Sequence, residues 1–157
     1  MRWLSLLLWL TLCLGTGGAG ALFTAPEILG WYRKLRKPAF NPPDRVFSPV
    51  WTALYILMAI AAWLVAGSPP APARTAALGL FMFQLALNLA WSWLFFRQHA
   101  VKVAAVELLV LWVAIGATVF VFSLCSVPAA WYLVPYWGWC TFAAIVNLSL
   151  LKLNPSV

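Results

Sequence analysis

Three short stretches place polar or aromatic side chains at helical spacing inside otherwise apolar sequence. In FMFQLALNLAWSWLFF, Gln84 and Asn88 are four residues apart, the interval that puts two side chains on one face of an α-helix. In PYWGWCTFAAIVN, Trp139, Ala143 and Asn147 repeat that interval twice, lining up an indole, a small residue and a carboxamide. VWTALYILM sets Trp51, Tyr55 and Met58 at i, i+4 and i+7. A carboxamide in hydrocarbon must face a ligand or another helix, where an interhelical hydrogen bond contributes about 1 kcal/mol. Flat aromatic walls with a few hydrogen-bonding points suit a cavity for a planar apolar molecule. The competing uses of the tryptophans are packing and interfacial anchoring, and Trp3, Trp131 and Trp137, near the ends of apolar runs, fit the second.

The remaining reactive groups are isolated. Glu107 is the one acid well inside an apolar run, and Lys102, five residues earlier, is a poor same-face partner, so a hydrogen bond to a neighbouring helix is expected. His99 stands in a short connection with no neighbouring ligand residues and reads as solvated. Cys13, Cys125 and Cys140 lie singly in or beside apolar runs, with no CxxC or Cys/His spacing; they read as small hydrophobes, and no metal site is expected. No triad or carboxylate pair supports ordinary catalysis.

These groups need elements to hold them, and the composition says which. Of the 157 residues, 65% are hydrophobic and only 8% charged, against about one quarter charged in soluble domains. A bilayer core about 30 Å thick takes roughly 20 apolar residues per helix. Five runs qualify, near 3–26, 46–66, 75–96, 103–124 and 129–151. They are continuously apolar and lack the period-2 alternation of a membrane barrel. The expected fold is an all-α membrane protein, a single bundle of five transmembrane helices over residues 1–157. Arg2 and the run ending in GTGGAGA also resemble a secretory signal. The apolar run continues through Ala21, Leu22 and Phe23, and glycines let membrane helices approach closely, so this segment is read as a span.

Five spans put the termini on opposite sides. The side with the first and third connections and the C-terminus carries Arg33, Lys34, Arg36, Lys37, Arg45, Arg97, Lys102 and Lys152, and the other only Arg2 and Arg74. The positive-inside rule then places the first loop and C-terminus in the cytoplasm and the N-terminus outside. The net charge of +7 reads as topology and lipid headgroup contact, not nucleic acid binding, because the basic residues flank spans and form no separate patch.

WYRKLRKPAFNPPDRVF, the first connection, concentrates basic residues, prolines and aromatics. Pro38, Pro42 and Pro43 fix their own φ and bias the preceding residues toward extended geometry. The segment should form a stiff cap across one end of the bundle, with its aromatics turned inward and its cations toward headgroups and water.

The run WYRKLRKPAFNPPDRVFSPVWTALYILM, then ALNLAWSWLFF and PYWGWCTFAAIVN, resembles the TspO/MBR family, the tryptophan-rich sensory proteins and mitochondrial translocator proteins, in order and spacing from about residue 15 to 152. The resemblance implies a homodimer and, with no cofactor required, binding of protoporphyrin or haem, of sterols in some members, and of synthetic planar ligands, in a receptor, carrier or transport role. By position it implies a pocket of Trp51, Tyr55, Asn88, Trp139, Ala143 and Asn147, joined by Gln84 from the residue pattern. Trp31, Tyr32, Leu35, Pro38, Pro42, Pro43 and Phe47 form its cover. The alternative it implies is light-dependent porphyrin degradation through Trp51 and Trp139. Two departures stand out: Phe40 replaces a loop tryptophan of many members, and Leu148 replaces the tyrosine of the animal sterol segment. Ala86 and Ala90 form a small-xxx-small pair suited to close helix contact. The expected location is a bacterial cell membrane, the alternatives being a bacterial or mitochondrial outer membrane.

Overall fold

The computed structural model describes residues 2–155, which form helices and short connections with no strand among them. Helix α1 spans Arg2–Leu29, α2 is a single turn at Trp31–Lys34, α3 spans Asp44–Ala66, α4 Pro72–Ser92, α5 Val101–Cys125 and α6 Val127–Leu153. A π-helical turn, Trp93–Arg97, prolongs α4. Five of the helices, α1, α3, α4 with its prolongation, α5 and α6, are long and apolar enough to cross a bilayer, as the five apolar runs predict.

The helices outrun the charge-free stretches that announce them. Helix α1 continues through Pro26 to Leu29, because membrane helices tolerate the one backbone bond an internal proline removes. Helix α4 starts at Pro72, three residues before the apolar run, with proline in the first turn where its missing N–H costs nothing. Helix α3 starts at Asp44, whose negative charge suits a helix N-terminus. Only Ser126, extended at φ −160° and ψ 106°, separates α5 from α6, and its hydroxyl accepts from the Ala129 N–H at 3.4 Å.

The five long helices close a ring in the order α1, α3, α6, α5, α4, with α1 and α4 forming the sparsest seam. Among the described residues of α1, only Cys13 and Gly20 are buried. The close-approach reading of the glycine run holds at Gly17, where a β-carbon would stand 2.6 Å from the Tyr55 ring, while Gly15 and Gly18 face open space. The main core lies between α3, α4, α5 and α6 around Met58, Phe81, Leu111, Ile115, Phe122 and Tyr136. A second cluster, Tyr32, Phe95, Phe96, Val101, Ala104, Val146 and Leu150, sits at the end of the bundle beneath the first connection.

That connection differs from a uniformly extended cap. It begins with the α2 turn, becomes extended at Leu35 (φ −69°, ψ 144°), and turns once more where the Asn41 N–H donates to the Pro38 carbonyl at 3.0 Å.

Candidate functional site

Two hollows meet at a shared aromatic partition. The inner one, about 30 Å³, lies under the first connection and is lined by Tyr32, Pro42, Phe47, Trp51, Trp91, Phe95, Phe96, Trp139, Phe142, Ala143, Val146, Asn147 and Leu150. In this conformation it has room for about two waters. The outer one, about 400 Å³, lies between α1, α3 and α4 and is lined by α1 residues from Leu14 to Ile28 together with Asp44, Ser48, Thr52, Tyr55, Asn88 and Ser92. Leu14, Gly18, Ala21 and Ala25 on its α1 wall are exposed, so it opens on the lipid-facing surface. Phe47, Trp51, Trp91 and Phe96 line both.

Helical periodicity brings the partition together. Trp51 leans on Tyr55 one turn later, centroids 5.8 Å apart, and stands edge-on to Tyr136 of α6 at 6.3 Å. Trp139 meets Phe47 edge-on at 6.3 Å and Phe142 at 5.6 Å. Trp91 stacks on Phe95 at 5.1 Å and stands perpendicular to Phe96 at 6.0 Å. Phe95 and Phe96 are both buried within the π turn, whose wider winding shifts the register of the side chains that follow it.

The polar groups fall into two sets. Asn88, 3% exposed, is bonded: its Oδ1 accepts from the Tyr55 hydroxyl at 2.5 Å and its Nδ2 donates to the Tyr136 hydroxyl at 2.9 Å, joining α3, α4 and α6. Asn147, 1% exposed, lines the inner hollow with both amide atoms unpartnered, and the Trp91 Nε1–H is buried there without an acceptor. Most buried polar atoms have partners, so each such orphan calls for an explanation.

The sequence-derived residues therefore divide. Tyr32, Pro42, Trp139, Ala143 and Asn147 line the inner hollow, Tyr55 and Asn88 the outer, and Phe47 and Trp51 both. Trp31, Leu35, Pro38, Pro43 and Gln84 reach neither. Trp31 and Leu35 pack onto the second cluster, Pro43 is exposed, and Gln84 is buried one turn from Asn88 with both polar atoms unpartnered. Tyr136, Trp91, Phe95, Phe96 and Phe142 go unnamed by the sequence reading. Trp91 lies three residues from Asn88 and Tyr136 seven from Ala143, so their shared faces were legible; the π register was not.

Two isolated groups need correcting. Glu107 makes no interhelical hydrogen bond: both carboxyl oxygens are buried and unpartnered. His99 is not simply solvated: its ring stacks on Trp31 at 4.1 Å and its Nε2 lies 3.0 Å from Glu27 Oε2.

The connection closes over the inner hollow through specific bonds. The Tyr32 hydroxyl donates to Asn41 Oδ1 at 3.0 Å, and Phe40 meets Phe142 edge-on at 6.4 Å. Burial pushes the Tyr32 phenol up to about 12; the Asp44 charge adds to this and the Asn41 bond opposes it. The cations Arg33, Lys34, Arg36 and Arg45 are exposed, whereas Lys37 Nζ folds back over the Tyr32 ring, 4.5 Å from its centroid. Asn154, just past α6, bonds both backbone groups of Arg36: its Oδ1 accepts the Arg36 N–H at 3.0 Å and its Nδ2 donates to the Arg36 carbonyl at 2.9 Å.

A sequence profile of the TspO/MBR family matches residues 9–153. The chain is 40% identical over 153 residues to the tryptophan-rich protein TspO of Chlorobaculum tepidum, covering 97% of each. It is 35% identical over 154 residues to the tryptophan-rich sensory protein of Cereibacter sphaeroides, covering 98% of this chain and 94% of the relative. With the translocator protein of Homo sapiens it shares 36% identity over 137 residues, covering 86% and 81%. Near-complete coverage together with five membrane-length helices makes the chain an integral, multi-pass membrane protein of the TspO/MBR family.

Proposed function

We propose that this protein is a membrane receptor or carrier for tetrapyrroles such as protoporphyrin and haem, and for similar planar apolar molecules, with a regulatory or transport role. The observation that carries the reading is the convergence of Phe47, Trp51, Trp91, Phe96 and Trp139 from three helices around the orphaned Asn147 amide and Trp91 N–H. Aromatic faces stack on a flat ring, and the unpartnered groups offer hydrogen bonds to its polar edge. The exposed cations of the first loop can attract ring carboxylates. The inner hollow must widen to admit a tetrapyrrole, so occupancy requires the partition rings to change rotamer. The protein works in a bacterial cell membrane as a homodimer, with the first loop and C-terminus cytoplasmic and the N-terminus outside.

Titration of protoporphyrin IX by fluorescence quenching tests the reading. Aromatic contacts contribute about 0.5–1.5 kcal/mol each beyond area burial, so Trp51→Ala with Trp139→Ala should weaken binding roughly fivefold to a hundredfold. Unchanged affinity removes both indoles from the site.

A further inference from the structure

We infer that Asn154 is a positioning residue, the latch that holds the first loop shut over the inner hollow and sets how long an occupant stays there. The role as a cover rests on the tetrapyrrole reading; the latch itself rests on geometry alone. Its carboxamide is used almost to capacity. The oxygen accepts the Arg36 N–H, and the two hydrogens of Nδ2 go to the carbonyls of Arg36 and of Leu150, the latter at 2.9 Å. Reading a backbone N–H and C=O of one residue together is what a neighbouring β-strand does, and a side-chain amide is a group with one donor end and one acceptor end to do it.

The placement gives those bonds leverage. Among the described residues, the two bonds between Arg36 and Asn154 are the only hydrogen bonds that tie residues 35–42 to any membrane span or its end; the others in that segment stay within the loop or reach back to Tyr32. Arg36 lies between Tyr32 and Pro42, both of which line the inner hollow, and Leu150 of α6, which shares the Asn154 amide, lines it too. One side chain therefore joins roof to wall. The Asn154 backbone N–H also donates to the Leu150 carbonyl at 2.9 Å, fixing the latch on the last turn of α6.

The test uses the full chain in lipid nanodiscs and two readouts, hydrogen exchange of the 35–42 amides and the dissociation rate of protoporphyrin IX. Asn154→Ala should raise loop exchange tenfold or more while α5 amides keep their rates, and porphyrin should leave about tenfold faster. Arg36→Pro removes the same N–H from the other side and suits the extended Leu35 before it; it supplies the same test if Asn154→Ala fails to fold. Because Asn154→Ala breaks both bonds and Arg36→Pro only the one from the N–H, the double variant should not exceed Asn154→Ala. Unchanged loop exchange, raised exchange with an unchanged porphyrin off-rate, or additive effects would each overturn the latch. A wild-type protein that binds no protoporphyrin overturns the tetrapyrrole reading instead, and loop exchange alone then decides the latch.

Discussion

Asn88 and Asn147 are the same residue type with nearly the same burial, 3% and 1% exposed, yet they sit in opposite energetic positions. Asn88 satisfies two tyrosine hydroxyls, so Asn88→Leu leaves the Tyr55 hydroxyl buried and unpartnered while Tyr136 keeps Cys140, and should destabilise the protein by about 1–3 kcal/mol. Asn147 satisfies nothing in this state, so Asn147→Leu replaces a desolvated orphan by an apolar side chain of the same branched shape and should leave the melting temperature of the empty protein equal or higher, while weakening protoporphyrin binding. Thermal unfolding of the two variants without ligand checks this; equal losses would mean that both amides are structural. Their i, i+4 relation to Gln84 and Ala143 was plain in the sequence. Which amide is bonded and which is free was not, because that depends on Tyr136, a residue on another helix.

At the scale of elements, the five apolar runs announce five helices because a hydrocarbon environment leaves the backbone few alternatives. What the sequence conceals is irregularity. The π turn at Trp93–Arg97 has no proline or glycine to mark it, and the α2 turn interrupts a stretch whose prolines argue for extension. The glycine run of α1 shows the limit of pattern reading in another way: of four similar glycines, a β-carbon added at Gly17 would meet the Tyr55 ring and one at Gly20 would meet Ser92, while one at Gly15 or Gly18 would meet nothing within 4 Å. Gly17→Ala should therefore cost about 1–3 kcal/mol by overpacking, with Gly18→Ala near neutral. Denaturation of the two variants in the same detergent separates them, and equal stabilities would mean that α1 can slide away from α3 at no cost.

For the whole molecule, charge placement is the argument for the proposed orientation in the membrane. The basic residues of the first loop lie at the end of the bundle that also carries Asn154, and Arg74 at the other, where its guanidinium donates to the Ser68 carbonyl at 2.8 Å. With Cys13, Cys125 and Cys140 replaced by alanine, a membrane-impermeant maleimide applied to intact cells should label Ser68→Cys and spare Ala39→Cys; the reverse pattern would invert the orientation. Family membership and the number of spans were legible because composition and motif order carry them. The division of the interior into two chambers was not, since it arises where rings from α3 and α4 meet.

That division has a consequence for how molecules would compete. Phe47, Trp51, Trp91 and Phe96 are a wall common to both chambers, and packed side chains are nearly incompressible. Swinging those rings aside to enlarge one room takes space from the other. Two guests with no atom of overlap, one seated among the acyl chains and one beneath the roof, would then exclude each other as if they shared a single seat.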